Sequence, residues 1–525
     1  MSTKNHISES IQQRGERMLL PYLRDVKNKS KKYSTVFRGI NYGEGTQDGE
    51  FSETLNLSTD LYPCITQRSE RIKIGQYTNP TALHAKGKLL VIDGTKVLYD
   101  GVEVGTVTEG KKQTATIGNY IVIFPDKVYY NVAEKKFGNM QETYKATGLV
   151  FTDSTITTTG ADFPFREGDA VRITGCSNNG NNYPNKEPII RAVSAKVLTF
   201  NKNEFTAGTE NGEVTIIRFV PDLDFICENN YRLWGTRGNT IYSSKWSDPL
   251  NFGVFDGNVD DSYNIDVGSE GEFTGCIPYS SHICFFKENT LHKIYGTKPI
   301  NFQVTTSNVY GVQSGCEKSM HIVNEQLLYK GVNGVYAYTG GVPELISDKF
   351  GNKRFSNAVA CCDGEKYYIS MKQGGEYGLY TLDVTKNIWL REDDTQAVDM
   401  TFYNGKIYYI DNKGGLYCID KTADRSNIEW GATFCTIHET INERKGYSKF
   451  HLRMDLSAGA WLAVDIKTDN DTEWRQVYTT HNEKAKTVSV PIIPTRCDSI
   501  DIRLRGKGEC IIKTFVREFT TGSDV

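Results

Sequence analysis

A unit of about 40 residues recurs along most of the chain, and it constrains the fold more than any other feature. Each copy reads as a tight turn, an apolar strand often bearing Tyr, a second turn and another strand. The copies begin AKGKLLVIDGTKVLYDG at Ala85, IGNYIVIFPDKVYYN at Ile117, ENNYRLWGTRGNTIYSS at Glu228 and SSHICFFKENTLHKIYG at Ser280. They continue with VNEQLLYKGVNGVYAYTGG at Val323, CDGEKYYISMKQGGEYGLYTLD at Cys362 and YNGKIYYIDNKGGLYCID at Tyr403. Asn404-Gly405, Asp363-Gly364 and Gly374-Gly375 suit hairpin turns, and Lys406-Ile407-Tyr408-Tyr409-Ile410 alternates as a strand does. Four-stranded propeller blades have this period, so the chain is expected to be all-β with a six- or seven-bladed β-propeller.

The leading turns near 118 and 229 are too far apart for one period, which predicts a module inserted at 146–218. FREGDAVRITGC, EPIIRAVSAKVLTF and GEVTIIRFV read there as short strands of a small β-barrel. The loop SNNGNNYPN is expected to project, with Asn178 to Asn185 the most mobile part of the module. After Trp430 the period stops, and HLRMDLS, WLAVDIKT, WRQVYTT, KTVSVPII, DSIDIRLRG and CIIKTFVREF predict a C-terminal β-sandwich at 431–525. The propeller is therefore expected in two parts, 37–145 and 219–430, with GINYGEGTQDGEFSETLNL lending an outer strand to the last blade. Residues 1–36 read as an arm. In it Leu19, Leu20, Tyr22 and Leu23 form a short apolar patch among basic residues, expected to contact a neighbouring copy.

The composition narrows the function. Lys+Arg 61 against Asp+Glu 64 leaves a net charge of -3, which removes any global case for wrapping duplex nucleic acid. The basic run from Arg24 to Lys32 leaves transient DNA contact as a minor expectation, since such arms dock more often on acidic protein surfaces. Apolar runs such as Leu89 to Ile92 are strand-sized, far below the roughly 20 residues of a membrane span. The N-terminus does not read as a signal peptide, so synthesis is expected to end in the cytoplasm. Twelve cysteines without any C-x-x-C are expected to be reduced thiols.

No residue pattern declares a reaction. The eight histidines form no H-x-x-x-H or H-E-x-x-H pattern, so no metal site is expected. Asp469, Asp471 and Glu473 are spaced like the start of a calcium loop, but Trp474 stands where the loop needs glycine, and a hairpin turn is the better reading. The acidic clusters Asp260-Asp261 and Glu392-Asp393-Asp394 are the one candidate for paired glycosidase carboxylates, and both lie beside turns that carboxylates commonly cap. No cofactor is expected, and no G-x-S-x-G, P-loop or G-x-G-x-x-G adds weight to an enzyme.

Several segments taken together carry a resemblance: LNLSTDLYPCITQR at Leu55, DFICENNYRLWG at Asp224, FFKENTLHKIYGTKPINFQV at Phe285, YYISM at Tyr367, WLREDDT at Trp389 and VPIIPTRCDSIDIRLRGKGECII at Val490. From about residue 37 onward the chain resembles a family of virion structural proteins of tailed phages and prophages of Gram-positive bacteria. The organisation is also similar, as an analogy of architecture, to the propeller proteins of phage tail nozzles and hubs. The resemblance implies a non-enzymatic part of a virion, of the tail nozzle, hub or baseplate type, assembled in the host cytoplasm from copies of itself and other tail or neck proteins. A module binding host-surface glycan is the alternative, and a glycoside-cleaving propeller the lesser one.

Overall fold

The computed structural model describes residues 29–439, 444–469, 471–484 and 486–521. Among them the helical elements are four single-turn 3-10 helices, and all other regular structure is strand. Aromatic and β-branched residues at alternate positions, punctuated by residues that tolerate positive φ, leave little else open. Asn404 and Gly405 take φ of 49° and 78° in one hairpin turn, and Asn230 and Tyr231 take 52° and 58° in another.

Residues separate into two compact units. One contains Arg71–Asn387 and Asp393–Ala423. The other contains the described residues up to Glu70, Ile388–Glu392 and those from Asp424 onward.

In the larger unit, four-stranded sheets follow one another at 80–106, 113–139, 225–266, 273–308 and 321–345, and a sixth sheet has its first three strands there, at 356–383. A seventh joins Ala397–Tyr403, Lys406–Asp411 and Gly415–Ile419 to Arg71–Gln76, a strand from far earlier in the chain. The recurring sequence unit corresponds to the second and third strands of each sheet. First strands of the first four sheets lie beside one another in chain order, as do those of the fifth to seventh, and Ala397–Tyr403 of the seventh sheet lies beside Pro80–Lys86 of the first.

The apolar cores sit between consecutive sheets. Leu90 and Ile92 pack with Ile121 and Ile123, Val122 and Phe124 with Ile226 and Leu233, and Trp234 with Phe285. Leu83 and Val91 of the first sheet meet Ile410 and Leu416 of the seventh, which closes the series on itself. Each fully buried Leu or Ile contributes about 1.5–3 kcal/mol, so the first, second and third sheets are each stabilised from both flanks. The architecture is all-β and propeller-like.

Between the second and third sheets, residues 143–217 form one three-stranded and one five-stranded sheet around their own core of Leu149, Ile156, Val171, Ile173, Leu198 and Ile216. The smaller unit has two larger sheets and a short pair, Leu57–Ser58 with Thr66–Gln67. One orders Lys29–Ser34, Cys510–Thr521, Lys445–Leu456 and Thr487–Cys497. The other orders Gly39–Ile40, Glu50–Leu55, Glu429–Phe434, Ile500–Lys507, Trp461–Thr468 and Arg475–Thr480. Phe450, Phe515, Phe51, Phe434 and Leu504 share one core between them.

Two expectations need correction. Residues 39–57 do not complete the last four-stranded sheet: Glu50–Leu55 pairs with Glu429–Phe434 in the smaller unit, and Arg71–Gln76 occupies the expected place. The reason is burial. Phe51 needs a core on one face and finds Phe434 with ring centroids 5.0 Å apart, whereas the outer strand 71–76 is half-buried or exposed throughout.

Nor does the arm extend to residue 36. Lys29–Ser34 pairs antiparallel with Cys510–Thr521 of its own chain, Lys29 and Lys31 facing Glu518 at 3.9 and 3.4 Å. Of the run read as a basic arm, Lys29, Lys31 and Lys32 lie in an edge strand whose neighbours are acidic. Leu19, Leu20, Tyr22 and Leu23 lie outside the described residues.

In the loop from Asn178 to Asn185, Asn178, Asn179, Gly180, Pro184 and Asn185 are exposed, while Asn181 and Asn182 hold its middle. Asn181 is buried and exchanges hydrogen bonds with the backbone of Thr206, Asn182 does the same with Cys176, and Glu210 accepts from the amides of Ser177 and Asn178. Asparagine amides both donate and accept, so an Asn-rich loop holds itself without strands.

Candidate functional site

First strands of the larger unit carry the residues around a cavity of about 480 Å³, with Leu83, Thr114, His321, Cys361 and Asp399 on its wall. A second cavity of about 450 Å³ shares Lys112 and Lys318 with it. Leu83, Thr114, His321, Cys361 and Asp399 belong in turn to Pro80–Lys86, Gln113–Ile117, His321–Val323, Ser356–Cys362 and Ala397–Tyr403, each the first strand of its sheet.

Asp399 accepts at Oδ2 from Lys318 Nζ at 2.8 Å and from the Leu83 amide at 2.9 Å, and at Oδ1 from the Met400 amide at 2.9 Å. Lys112, its side chain wholly buried, donates to Asp126 at 2.5 Å and to Thr108 at 3.1 Å. Both charge pairs are thus hydrogen-bonded as well as paired, the condition under which buried charges persist.

His84 sits between two hydroxyls, Nε2 2.6 Å from Thr116 Oγ1 and Nδ1 3.2 Å from Thr114 Oγ1. Burial pulls its pKa down to about 4, against the charge of Asp399 and with that of Lys86. His321 is lowered by burial too, against a backbone hydrogen bond at Ala360. The thiols of Cys361 and Cys362 are raised, again first by burial. At neutral pH the cavity therefore presents neutral imidazoles, protonated thiols and closed ion pairs. Such a lining suits a small polar guest or ordered water; it contains no activated thiolate.

The acidic clusters singled out in the sequence are not brought together as a pair of free carboxylates. Asp261 Oδ2 accepts from the amides of Gly257 and Asn258, and Asp260 pairs with Lys245 at 3.2 Å. Asp393 pairs with Arg71 at 2.6 Å and caps the Thr395 amide, while Glu392 faces Arg68 at 3.6 Å. Asp471 accepts from both the amide and hydroxyl of Thr468, and Asp469 from the amides of Asp498 and Ser499. These are turn-holding carboxylates. Among the described residues no group of three or more His, Cys, Asp or Glu is placed to hold a metal ion.

Two features escaped the sequence reading. Arg218 and Asp169 pair at 2.7 Å, both buried, and Asp169 also accepts from Asn251, while Arg166 pairs with Asp248 and Arg191 with Asp256. The module at 143–217 is thereby fastened to the loop at 244–262. Second, Tyr231 and Trp246 stand 58% and 46% exposed with ring centroids 5.9 Å apart. The turn ENNYR signalled a hairpin, but nothing local showed that a bulky ring would occupy its tip.

No family model and no curated protein matches the chain. Among solved structures, the chain is similar to the computationally designed Ika8 protein at 10% identity, over 67% of this chain and 99% of that one, with a TM-score of 0.37. BamB from Moraxella catarrhalis matches at 10% identity, over 67% and 97%, with a TM-score of 0.35. A phage phi92 endosialidase matches at 10% identity, over 77% and 76%, with a TM-score of 0.26. At these scores the likenesses decide nothing about fold or function.

Proposed function

We propose that the chain is a non-enzymatic structural component of a tailed-phage virion, a multi-copy assembly platform of the tail nozzle, hub or baseplate. In this reading the seven sheets are the blades of one ring, residues 143–217 an inserted small barrel, and the smaller unit a β-sandwich. The phage assignment rests on the segments quoted above. The observation that carries the structural role is the engagement of the acidic clusters, whose carboxylates hold strands and turns in place.

The test is quantitative peptide mass spectrometry of purified particles, with the chain expected in many copies at a fixed ratio to the other tail proteins. Its absence from particles, or glycoside turnover abolished by Asp393→Asn or Asp261→Asn, would end the reading.

A further inference from the structure

In a four-stranded up-and-down sheet, the turns joining strands one to two and three to four lie at the same edge. Contacts between consecutive sheets gather these turns onto one face of the larger unit. Asn230 donates to the Thr297 carbonyl at 3.4 Å, Tyr279 to the Glu325 carbonyl at 2.7 Å, and Lys293 to the Gly340 carbonyl at 3.3 Å. On this face, over three successive sheets, stand Tyr231, Trp246, Val259, Ile300 and Val342, exposed by 58, 46, 64, 88 and 83%. Side chains so exposed and so apolar, clustered on one side, mark an interaction surface.

The surface is held ready. Tyr231 and Ser247 take φ of 58° and 59°, a strained choice for non-glycine residues, and the Ser247 amide donates to the Tyr231 carbonyl at 2.7 Å. Buried Arg232 donates to the carbonyls of Ser244, Val259 and Asp261 at 2.9, 3.1 and 2.5 Å, which pins the loop bearing Trp246 and Val259. Glu325 and Glu344 are exposed beside it, with no ion-pair partner among the described residues.

We infer that this face receives residues 1–28 of another copy, with Leu19, Leu20, Tyr22 and Leu23 as the apolar anchor. The inference rests on the multi-copy reading and names its contact. Three features favour this occupant. The segment is part of every copy, its apolar cluster matches the face in kind, and Arg14, Arg17, Arg24 and Lys27 outnumber Glu16 and Asp25 around the anchor, complementing Glu325 and Glu344. At about 3.3 Å per residue, 28 extended residues reach at most roughly 90 Å. A neutral glycan stacking on Tyr231 and Trp246 is the rival occupant.

The test is complementation between full-length chains, read by sedimentation velocity. One variant carries Leu19→Ser, Leu20→Ser, Tyr22→Ser and Leu23→Ser; the other carries Tyr231→Ser, Ile300→Asp and Val342→Asp, all at exposed positions, with thermal melts confirming that both fold. Wild type is expected to self-associate, each variant alone to lose at least tenfold in association, and an equimolar mixture to stop at a heterodimer, since it retains one intact arm–face pair. Association of the face variant at wild-type strength overturns the inference. So does association of the arm variant through an intact face, which would make the face its own partner, or glycan-array binding by wild type that the face variant loses. If wild type stays monomeric alone and with the other tail proteins, the multi-copy reading itself falls; if it associates and neither variant matters, only this contact does.

Discussion

At the scale of single residues, burial decides protonation and reactivity. His84 and His292 are both held down to about 4 by burial, with the Lys287 charge adding at His292, where Ser269 and Thr306 hold the ring nitrogens. In the unfolded chain each takes up a proton near pH 6.5. Below that pH the unfolded state binds more protons than the folded one, so stability falls as pH drops from about 6.5 to about 4. The urea midpoint of wild type should fall across that window, and His292→Gln should show a shallower fall; an equal slope would refute the assignment. The thiols follow the same physics. Cys64 and Cys362 are half-buried and the other ten buried, with Cys176 raised to about 11 and Cys284 and Cys510 to about 12. Alkylation of native protein at neutral pH should stay confined to Cys64 and Cys362, and denaturation without reductant should release all twelve thiols.

At the scale of elements, turns and insertions separate steric from conformational cost. Gly414 and Gly405 have φ of 81° and 78°, but a Cβ on Gly414 would lie 2.0 Å from the Tyr77 carbonyl oxygen, whereas nothing lies within 4 Å of one on Gly405. Gly405→Ala should cost about 1–2 kcal/mol from the left-handed backbone alone, and Gly414→Ala beyond about 3 kcal/mol once the collision is added, as measured by urea denaturation. For the inserted module, Ala146 and Val214 are direct partners across antiparallel strands. Excising 147–213 and joining them with a two-residue turn should leave a folded ring. Asp248, Asn251 and Asp256 would lose Arg166, Asp169 and Arg191, so the melting temperature should drop and proteolysis should concentrate at 244–262. Aggregation of the excised protein would mean that the module is part of the ring's own core.

At the scale of the whole molecule, chain order and spatial order diverge. The smaller unit draws strands from both ends of the described chain, and Arg517, almost wholly buried, joins Ser34, Asp48 and Glu439. Truncation after Ala423 removes Phe434, Leu504 and Phe515 from the core that covers Phe37 and Phe51. The fragment 1–423 should therefore expose these side chains and aggregate, detected by light scattering and dye binding. A monodisperse, cooperatively melting fragment would show that residues 29–70 find stability elsewhere.

Periodicity of two, punctuated by Asn-Gly and Asp-Gly, made the second and third strands of each sheet legible, because hairpin chemistry is local. The six terminal strands, with Ile500, Ile502 and Leu504 alternating against Asp501, Arg503 and Arg505, were legible for the same reason. What the sequence could not determine was which distant strand completes an edge. Arg71–Gln76 carries no hairpin signal and pairs with a strand more than 300 residues away, and Glu50–Leu55 pairs both with nearby Gly39–Ile40 and with Glu429–Phe434, more than 300 residues away. The site was still less legible. Lys112 with Asp126, Lys318 with Asp399 and Arg218 with Asp169 are ion pairs between residues with no shared motif. Local strand chemistry follows from neighbours in the chain; edge pairing, buried charge pairs and the exposed face around Tyr231 follow from which surfaces the packed sheets bring together, and only the tertiary structure decides that.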